Sequence, residues 1–388
     1  MTQTASDLAT VGSVAARPAH ANNFDLIRLA AALQVAVSHA CAWLKVPLPD
    51  AVFAAMTCFP GVAIFFVISG FLITRSYVDN DRGLLSYFAR RALRIYPALW
   101  LQYVLVVILL ACTGGFALRT LGVARFWQWL GAAAFIGSNF WGSIATSNYT
   151  PFVWTGLYQW YPADVLWTIP VELGFYLLVP MVFARSLIRR GLVGPVMALG
   201  FCASVAAAYI AGPLLRDHGE LNTTGMIHSS PAPYFWLFLA GGAAAFYWMK
   251  VAALFEGRAV WWLLAYAAAS AINWQVSGTV NLTYRIPGLL TIPRALILAG
   301  LVLSLAHSWV WISRWMRGVD LSYGLYLYHL PFPFGLYYAG IGGSVWYVAA
   351  SMVIAFALAA LSWFLVEKPA LGLKVSIERS LSLARAPV

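Results

Sequence analysis

The chain has 388 residues, of which 62% are hydrophobic and only 10% are charged, and its mean hydropathy is +0.78. A soluble domain is about one quarter charged, so this composition excludes an ordinary soluble protein and predicts an integral membrane protein. The net charge of +11 is spread over short clusters between apolar segments, which argues against nucleic acid as a partner.

Residues 1–22 are polar and rich in alanine, with no apolar core. They predict a disordered cytoplasmic lead and neither a signal peptide nor a spanning helix. Residues 23–368 form the predicted transmembrane domain, and residues 369–388 form a predicted cytoplasmic tail. The four cysteines show no CxxC or paired spacing, so we interpret all four as small core residues.

Ten apolar segments reach the length that a membrane-spanning helix needs, about 20 residues. In chain order they lie near residues 24–44, 57–77, 95–115, 165–184, 191–213, 233–250, 259–276, 293–312, 320–340 and 344–366. A further apolar and aromatic stretch at 126–141 is short and broken by Gly, Ser and Asn, so we predict that it is interfacial or re-entrant. The predicted fold is therefore an all-α integral membrane protein with about ten transmembrane helices.

The distribution of Lys and Arg supports this count. If the N-terminus is cytoplasmic and the spans alternate, 18 of the 24 basic residues lie inside and 6 lie outside. This positive-inside bias predicts that both termini are cytoplasmic. An eleventh span at 126–141 would move Arg185, Arg189 and Arg190 outside, so ten spans are favoured.

The first span carries Arg28 and His39, in DLIRLAAALQVAVSHA. At about 100° per residue, a spacing of eleven places both side chains on one helix face, roughly 16 Å apart along the axis. Ionisable residues inside a span are costly and are therefore functional candidates. The structural alternative is an arginine that extends to the interface and a histidine bonded to a neighbouring carbonyl.

Arg90, Arg91 and Arg94 lie at the cytoplasmic mouth of the third span, in FARRALRIYPALW. Arg91 and Arg94 are three residues apart and share a helix face. Two forked guanidiniums in this place suit the binding of phosphates. Positive charges that only set the membrane topology would explain the same pattern equally well.

The longest outward segment, residues 115–164, is dense in Trp, Tyr, Asn and Thr. Such residues form a membrane-interface belt or a surface on which sugars stack, and spacing alone does not separate the two. Asn139, Tyr149 and Trp160 are the candidates here for contacts with a substrate, and a donor from the first two would stabilise an oxyanion.

Glu172 is the only carboxylate deep inside a predicted span. It lies about six residues below the outer end of its helix and His39 lies about five below the same surface, so the two are predicted to meet. A carboxylate there would fix the imidazole tautomer and raise its basicity. Pro170 should disturb the helix and turn Glu172 into a cavity.

His329 lies near mid-membrane in LSYGLYLYHLPFPF, with Pro331 and Pro333 just beyond it. It is a candidate for substrate binding, and a packed, bonded histidine is the alternative. The other histidines show no HxxxH or HExxH spacing, so we expect no metal site.

These motifs, in this order, resemble the bacterial acyltransferase family 3 of membrane O-acyltransferases, which includes O-antigen and exopolysaccharide acetylases. The match extends over nearly the whole chain. It is carried by six segments: DLIRLAAALQVAVSHA, GVAIFFVISGFLITRSY, RRALRIYPALW, LWTIPVELGFYLLVP, LSYGLYLYHLPF and VEKPA. Each segment is weak alone, but six in order at these spacings are specific.

The resemblance implies transfer of an acyl group, which we expect to be acetyl, from cytoplasmic acetyl-CoA to a hydroxyl group. The implied acceptor is an exported or cell-surface saccharide, such as lipopolysaccharide or exopolysaccharide, or a lipid-linked saccharide. The implied location is the bacterial inner membrane, so membrane lipids are further partners. General-base catalysis is favoured over a covalent acyl-imidazole.

The resemblance also implies roles for single residues. His39 resembles the catalytic histidine of the family, and Arg28 resembles its partner. Glu172 matches the carboxylate of a VEE-type motif, but Leu173 stands where the second acid is expected, so a role that needs two adjacent carboxylates is not predicted.

Arg91 and Arg94 resemble the RxxR pair that meets the phosphates of CoA, and Arg90 directly precedes them.

Three alternatives remain open at the level of sequence. A transporter or flippase would show two repeated halves, and no internal repeat is detectable. An acyltransferase for a small-molecule or lipid acceptor would share the same motifs. A structural membrane protein would use Arg28, His39 and Glu172 only to pack its helices.

Overall fold

A computed structural model describes residues 22–79, 83–112, 127, 131, 164–217, 230–282, 290–312 and 318–383. All regular secondary structure within these ranges is helical. The helices, in chain order, are α1 (Phe24–Trp43), α2 (Asp50–Cys58), α3 (Gly61–Val78), α4 (Gly83–Cys112), α5 (Thr168–Val182), α6 (Arg185–Arg189), α7 (Val193–Asp217), α8 (Phe235–Phe246), α9 (Trp248–Val251), α10 (Ala259–Ser277), α11 (Thr291–Ala306), α12 (Ser322–Tyr328), α13 (Pro331–Tyr338), α14 (Val345–Ser362) and α15 (Lys368–Leu383).

Helix occurs in every one of the ten apolar segments that the sequence predicts as spans. Among the described residues, five helical stretches are long and apolar enough to cross a membrane, and a sixth arises if the bent pair formed by α8 and its successor counts as one span. The five are Phe24–Trp43, Asp50–Val78, Gly83–Leu109, Val165–Arg189 and Val345–Ile377. The prediction of an all-helical membrane protein is confirmed at this level.

Two of the predicted spans are broken. The segment near 233–250 bends by 81° between Phe235–Phe246 and Trp248–Leu254. The segment near 320–340 is divided into α12 and α13, because Pro331 begins a new helix directly after His329 and Leu330. Proline is favoured at the first position of a helix, where its missing N–H costs no hydrogen bond. His329 therefore lies at the break between α12 and α13 and not within a continuous helix.

Glycines allow α3 and α8 to pack with their backbones almost in contact. A Cβ atom at Gly70 would lie 1.9 Å from the carbonyl oxygen of Phe238, and one at Gly241 would lie 2.0 Å from the carbonyl oxygen of Val67. Small residues are the usual means of close helix packing in membranes, where no hydrophobic driving force acts between helices. The GGAAAF segment at 241–246 is therefore part of a close helix–helix contact.

The cysteine prediction is correct for only part of the set. Cys41 is buried and Cys58 is partly buried, whereas Cys112 and Cys202 are exposed. The prediction that all four belong to the core is wrong for the last two. An apolar helix in a membrane can turn its apolar residues outward, so membership of an apolar segment does not place a residue in the core.

Candidate functional site

A cavity of about 690 Å³, including the space at its mouth, lies between α1, α3, α4, α5 and α12. Phe65, Phe66 and Phe175 contribute much of its apolar wall. Its charged and polar wall is formed by side chains that the sequence places far apart: Arg28, Arg94, Thr168, Glu172, Ser322 and Tyr326. Two arginines and a glutamate facing one cavity inside an apolar bundle mark a functional site, because such groups are expensive to bury in a membrane.

The carboxylate of Asp320 contacts both arginines of the cavity wall. Oδ2 of Asp320 lies 3.0 Å from Nη2 of Arg28 and 2.5 Å from Nη2 of Arg94. Its Oδ1 accepts hydrogen bonds from the backbone N–H and the hydroxyl of Ser322, at 3.1 and 2.5 Å. Arg28 also pairs with Asp25, one turn earlier on α1.

The electrostatics of Asp320 follow from these contacts. Asp320 lies in the loop before α12, and its carboxylate contacts the guanidiniums of Arg94 and Arg28, which favour its charged form. Asp320 thereby neutralises much of the positive charge that Arg28 and Arg94 bring to the cavity.

Asp320 was missed by the sequence analysis. An aspartate just before a helix is ordinarily explained as an N-terminal cap, although in α12 the cap position belongs to Leu321 and Asp320 contacts Ser322 from one residue earlier. The available signal was its position directly before LSYGLYLYH, one of the segments that carry the resemblance.

Arg91 has a different environment from Arg94, although the two belong to one motif. Its guanidinium lies 5.7 Å from the ring centroid of Tyr87 and 5.6 Å from that of Tyr176. The Tyr176 hydroxyl in turn donates to the carboxylate of Glu172. A guanidinium that rests on aromatic faces keeps its N–H edges for other acceptors, and Nε of Arg91 has no hydrogen-bond partner within the described part of the chain.

The two histidines predicted for the site contact each other. Nδ1 of His39 lies 2.9 Å from Nε2 of His329, and the ring centroids are 5.2 Å apart with an interplanar angle of 20°. At these distances the two rings lie edge to edge and contact each other through these two nitrogens. His329 is fully buried, and its Nδ1 lies 2.8 Å from the carbonyl oxygen of Tyr326 and 3.2 Å from that of Leu325.

Arg28 and His39 contact residues at opposite ends of the same neighbouring helix, α12. Arg28 contacts Asp320 just before α12, and His39 contacts His329 just after it. The two helices therefore run side by side in the same direction. This agrees with the prediction that both residues lie on one face of α1.

Glu172 and His39 have different described contacts. Glu172 accepts from Tyr176 on its own helix and faces the cavity of the arginines, whereas His39 meets His329. Depth along two helices predicts that side chains share a level, but it does not predict which way each helix is turned. A direct contact between Glu172 and His39 stays a prediction.

Tyr326 connects the cavity to the histidines. Its side chain lines the cavity, and its ring centroid lies 6.1 Å from that of His329. Its hydroxyl is held by Thr168 at 3.1 Å and donates to the carbonyl oxygen of Val165 at 3.2 Å. Tyr326 therefore lies between the cavity, which it lines, and His329, whereas the lining of the cavity includes neither His329 nor His39.

The VEKPA segment contributes a further buried carboxylate. Glu367 is 2% exposed and ends a five-residue π-helical turn, Trp363–Glu367. It accepts a hydrogen bond of 2.8 Å from Ser362, which lies 2.7 Å from the hydroxyl of Tyr328. Because Tyr328 directly precedes His329, this chain of contacts secures the helix end from which the histidine projects.

The remaining predicted substrate residues, Asn139, Tyr149 and Trp160, lie outside the described residues. In the ranges that the structure does describe, no group of three or more His, Cys, Asp or Glu side chains is arranged to hold a metal ion.

Apolar helices that enclose arginines, carboxylates and a histidine pair define a polytopic membrane protein with an internal polar site. The model of the acyltransferase domain family matches residues 22–364, most of the chain. The chain therefore belongs to the acyltransferase family 3 and is a multi-pass membrane acyltransferase.

Individual relatives agree with this membership. Nodulation protein 10 of Rhizobium leguminosarum bv. viciae is 39% identical over 376 residues, which is 94% of this chain and 97% of the relative. A Staphylococcus aureus protein named as a candidate O-acetyltransferase is 30% identical over 135 residues, 34% of this chain and 21% of its own. The O-acetyl transferase of Shigella phage Sf6 is 42% identical over 78 residues, 20% and 23% of the two chains. No solved structure matches the chain.

Proposed function

We propose that this protein is an O-acyltransferase of the bacterial inner membrane that moves an acetyl group from cytoplasmic acetyl-CoA to a saccharide hydroxyl. The observation that carries the proposal is the cavity lined by Arg94 and Glu172, with Tyr326 between this cavity and the His39–His329 pair. Arg91, near the start of α4, offers N–H edges to a polyanionic donor, and His39 offers a base for the transfer.

The proposed topology has ten spans and cytoplasmic termini, with residues 23–368 as the catalytic membrane domain. It is supported by the positive-inside bias of the basic residues and by helix in all ten apolar segments. In this topology Arg28 and the arginines that begin α4 lie toward the cytoplasm, where acetyl-CoA is found.

Arg94 and Arg91, both on α4, have different proposed roles at the donor site. Arg94 is paired with Asp320 at 2.5 Å, so its charge is already balanced and it shapes the cavity. Arg91 rests on two tyrosine rings with its N–H edges available, which suits contact with a phosphate. We assign the phosphates of CoA to Arg91 together with its neighbour Arg90.

The proposed chemistry is direct transfer with His39 as general base. His39 takes the proton of the acceptor hydroxyl while the hydroxyl oxygen attacks the thioester carbonyl carbon. The C–O bond forms, the C–S bond breaks, and the proton passes from His39 to the departing CoA thiolate. Glu172 and Arg28 face the cavity in which the thioester arm would lie and are assigned to the catalytic machinery.

A saccharide is the proposed acceptor. The names of two relatives, an O-acetyltransferase of a phage and one of a Staphylococcus, support acetyl transfer to oxygen. The aromatic outer segment that holds Asn139, Tyr149 and Trp160 would supply the acceptor contacts. A small-molecule or lipid acceptor would leave the donor side unchanged, so the two acceptor classes are separated by assay.

Donor binding is tested with purified protein in nanodiscs, by thermal stability with and without acetyl-CoA, since a ligand that binds the folded state raises the apparent stability. We expect a shift in wild type and in His39→Ala, and loss of the shift in Arg91→Ala. Arg75→Ala is the matched control, because Arg75 lies near the same end of the bundle in an exposed pair with Asp79. The absence of any shift with acetyl-CoA or longer acyl-CoA thioesters in folded wild type would remove the donor assignment.

Transfer is tested with radiolabelled acetyl-CoA and a panel of oligosaccharides, lipid-linked saccharides and small hydroxyl compounds, with released CoA thiol as a second readout. His39→Ala should abolish transfer and retain the acetyl-CoA shift. Full transfer by His39→Ala would take this histidine out of the chemistry.

A further inference from the structure

We infer that His329 is a positioning residue that fixes the tautomer of His39, with the proton of His39 on Nδ1 and its reactive lone pair on Nε2. The inference rests on the proposed function, in which His39 is the base. It gives His329 a role in the reaction that does not require contact with the substrate.

The first step concerns the proton on His329. Its Nδ1 lies 2.8 Å from the carbonyl oxygen of Tyr326 and 3.2 Å from that of Leu325. Carbonyl oxygens only accept hydrogen bonds, so Nδ1 of His329 must carry a proton. The opposite tautomer would direct a lone pair at two oxygen atoms and leave a buried acceptor unsatisfied, which costs about 1–3 kcal/mol or more.

The second step concerns the other nitrogen of His329. The side chain is fully buried, and its described hydrogen-bond partners are two carbonyl oxygens and an imidazole. No carboxylate compensates a charge on the ring among these partners, and an uncompensated buried cation is costly. His329 is therefore a neutral imidazole with one N–H, and because this proton is on Nδ1, its Nε2 is an acceptor.

The third step passes this constraint to His39. A separation of 2.9 Å between Nδ1 of His39 and Nε2 of His329 is that of a hydrogen bond. Since Nε2 of His329 accepts, Nδ1 of His39 donates. The lone pair of neutral His39 is then on Nε2, at the opposite edge of the ring, and this nitrogen takes the proton of the acceptor hydroxyl.

The helix break between α12 and α13 makes the arrangement possible. His329 follows the last residue of α12, and its ring bonds to carbonyl groups of the last turn of that helix. The carbonyl groups at a helix end lack partners within the helix, so they can accept from a side chain. The backbone thus sets the tautomer of His329, and His329 sets the tautomer of His39.

The direct test is ¹⁵N NMR of histidine-labelled protein in nanodiscs, which distinguishes imidazole nitrogens that carry a proton from those that do not. The protein has six histidines, so the His39 and His329 signals are assigned from the spectra of His39→Ala and His329→Gln. We expect a proton on Nδ1 in both residues of neutral wild type. A His39 protonated at Nε2 would overturn the inference, and the result does not depend on any variant being active.

The kinetic test compares His329→Leu, which removes the acceptor, with His329→Gln, whose amide oxygen can still accept from His39. Loss of the tautomer-fixing aspartate of a catalytic triad lowers kcat by about 10⁴-fold, and general acid–base catalysis contributes about 10²–10⁴-fold. We expect a fall of about 10²–10⁴-fold for Leu, with an unchanged KM for acetyl-CoA, and a loss of less than about tenfold for Gln. Wild-type kcat in His329→Leu, or an equal loss in His329→Gln, would overturn the inference.

His307 provides a matched control. Its Nδ1 also bonds to a carbonyl oxygen one turn earlier, that of Leu303 at 2.8 Å, but its ring packs among Phe24, Phe71 and Trp248. We expect His307→Leu to change stability and to leave kcat per folded molecule within about twofold. Failure of the proposed function is seen separately, since full transfer by His39→Ala would leave the measured tautomers of the wild type intact.

Discussion

Asp320→Asn is the substitution with the clearest physical consequence in this protein. Asparagine keeps the size of the side chain and an oxygen for the contacts with Ser322, but it removes the negative charge between Arg28 and Arg94. The two guanidiniums contact the same carboxylate oxygen, so their Nη2 atoms lie at most about 5.5 Å apart and repel each other by about 3 kcal/mol at an effective dielectric constant of about 20.

The expected loss of unfolding free energy is about 3–5 kcal/mol, the usual cost of removing one partner from a buried ion pair. The side chains of Arg28 and Arg94 are 21% and 20% exposed and that of Asp320 is 10% exposed, so solvent screens these charges only in part. Asp79→Asn is the control: it breaks an exposed pair with Arg75, and its loss should stay within about 1 kcal/mol.

Thermal unfolding in detergent, followed by the fluorescence of the 18 tryptophans, measures the effect. Asp320→Asn should unfold several degrees below Asp79→Asn. Adding Arg94→Gln to Asp320→Asn should recover part of the loss, because it removes one of the two repelling cations, and a double-mutant cycle measures this coupling. A stability of Asp320→Asn equal to that of wild type, or strict additivity in the cycle, would refute the reasoning.

Two further outcomes follow from other contacts. Gly241→Ala should lower the free energy of unfolding by about 1–3 kcal/mol, since its Cβ would lie 2.0 Å from a carbonyl oxygen of α3. Gly372→Ala is the control, because open space surrounds Gly372, and it should lose no stability when both variants are compared by thermal unfolding. Glu172→Gln should keep the fold and lower kcat at least about tenfold in the acetyl-transfer assay. The amide still accepts a hydrogen bond from Tyr176, but it has no negative charge with which to stabilise a positive charge that develops during the reaction. An unchanged kcat would remove Glu172 from the chemistry.

Much of the fold was accessible from the sequence because hydropathy is a local property. Each apolar segment of sufficient length contains helix in the structure. Hydropathy did not predict the break after His329 as a feature of the site, nor the outward orientation of Cys112 and Cys202. In a membrane both sides of a helix can be apolar, so composition does not show which side faces the protein.

The candidate site was predictable in its members but only partly in its pairs. The spacing of Arg28 and His39 predicts one helix face, and the structure agrees, since both contact residues that flank α12. The same periodicity could not reveal that Asp320 would bind Arg28, because it describes rotation about a helix's own axis and is silent on the neighbour that the face meets.

The sequence by itself determined that this is a helical membrane protein of the acyltransferase family 3, and which ionisable residues had to be explained. The tertiary structure decided their partners: Asp320 with the arginines, Tyr176 with Glu172, and His329 with His39. The physical reason is that the free energy of burying an apolar segment in a membrane depends on that stretch of chain alone. A hydrogen bond between residues 290 positions apart depends instead on how several helices are rotated and packed together.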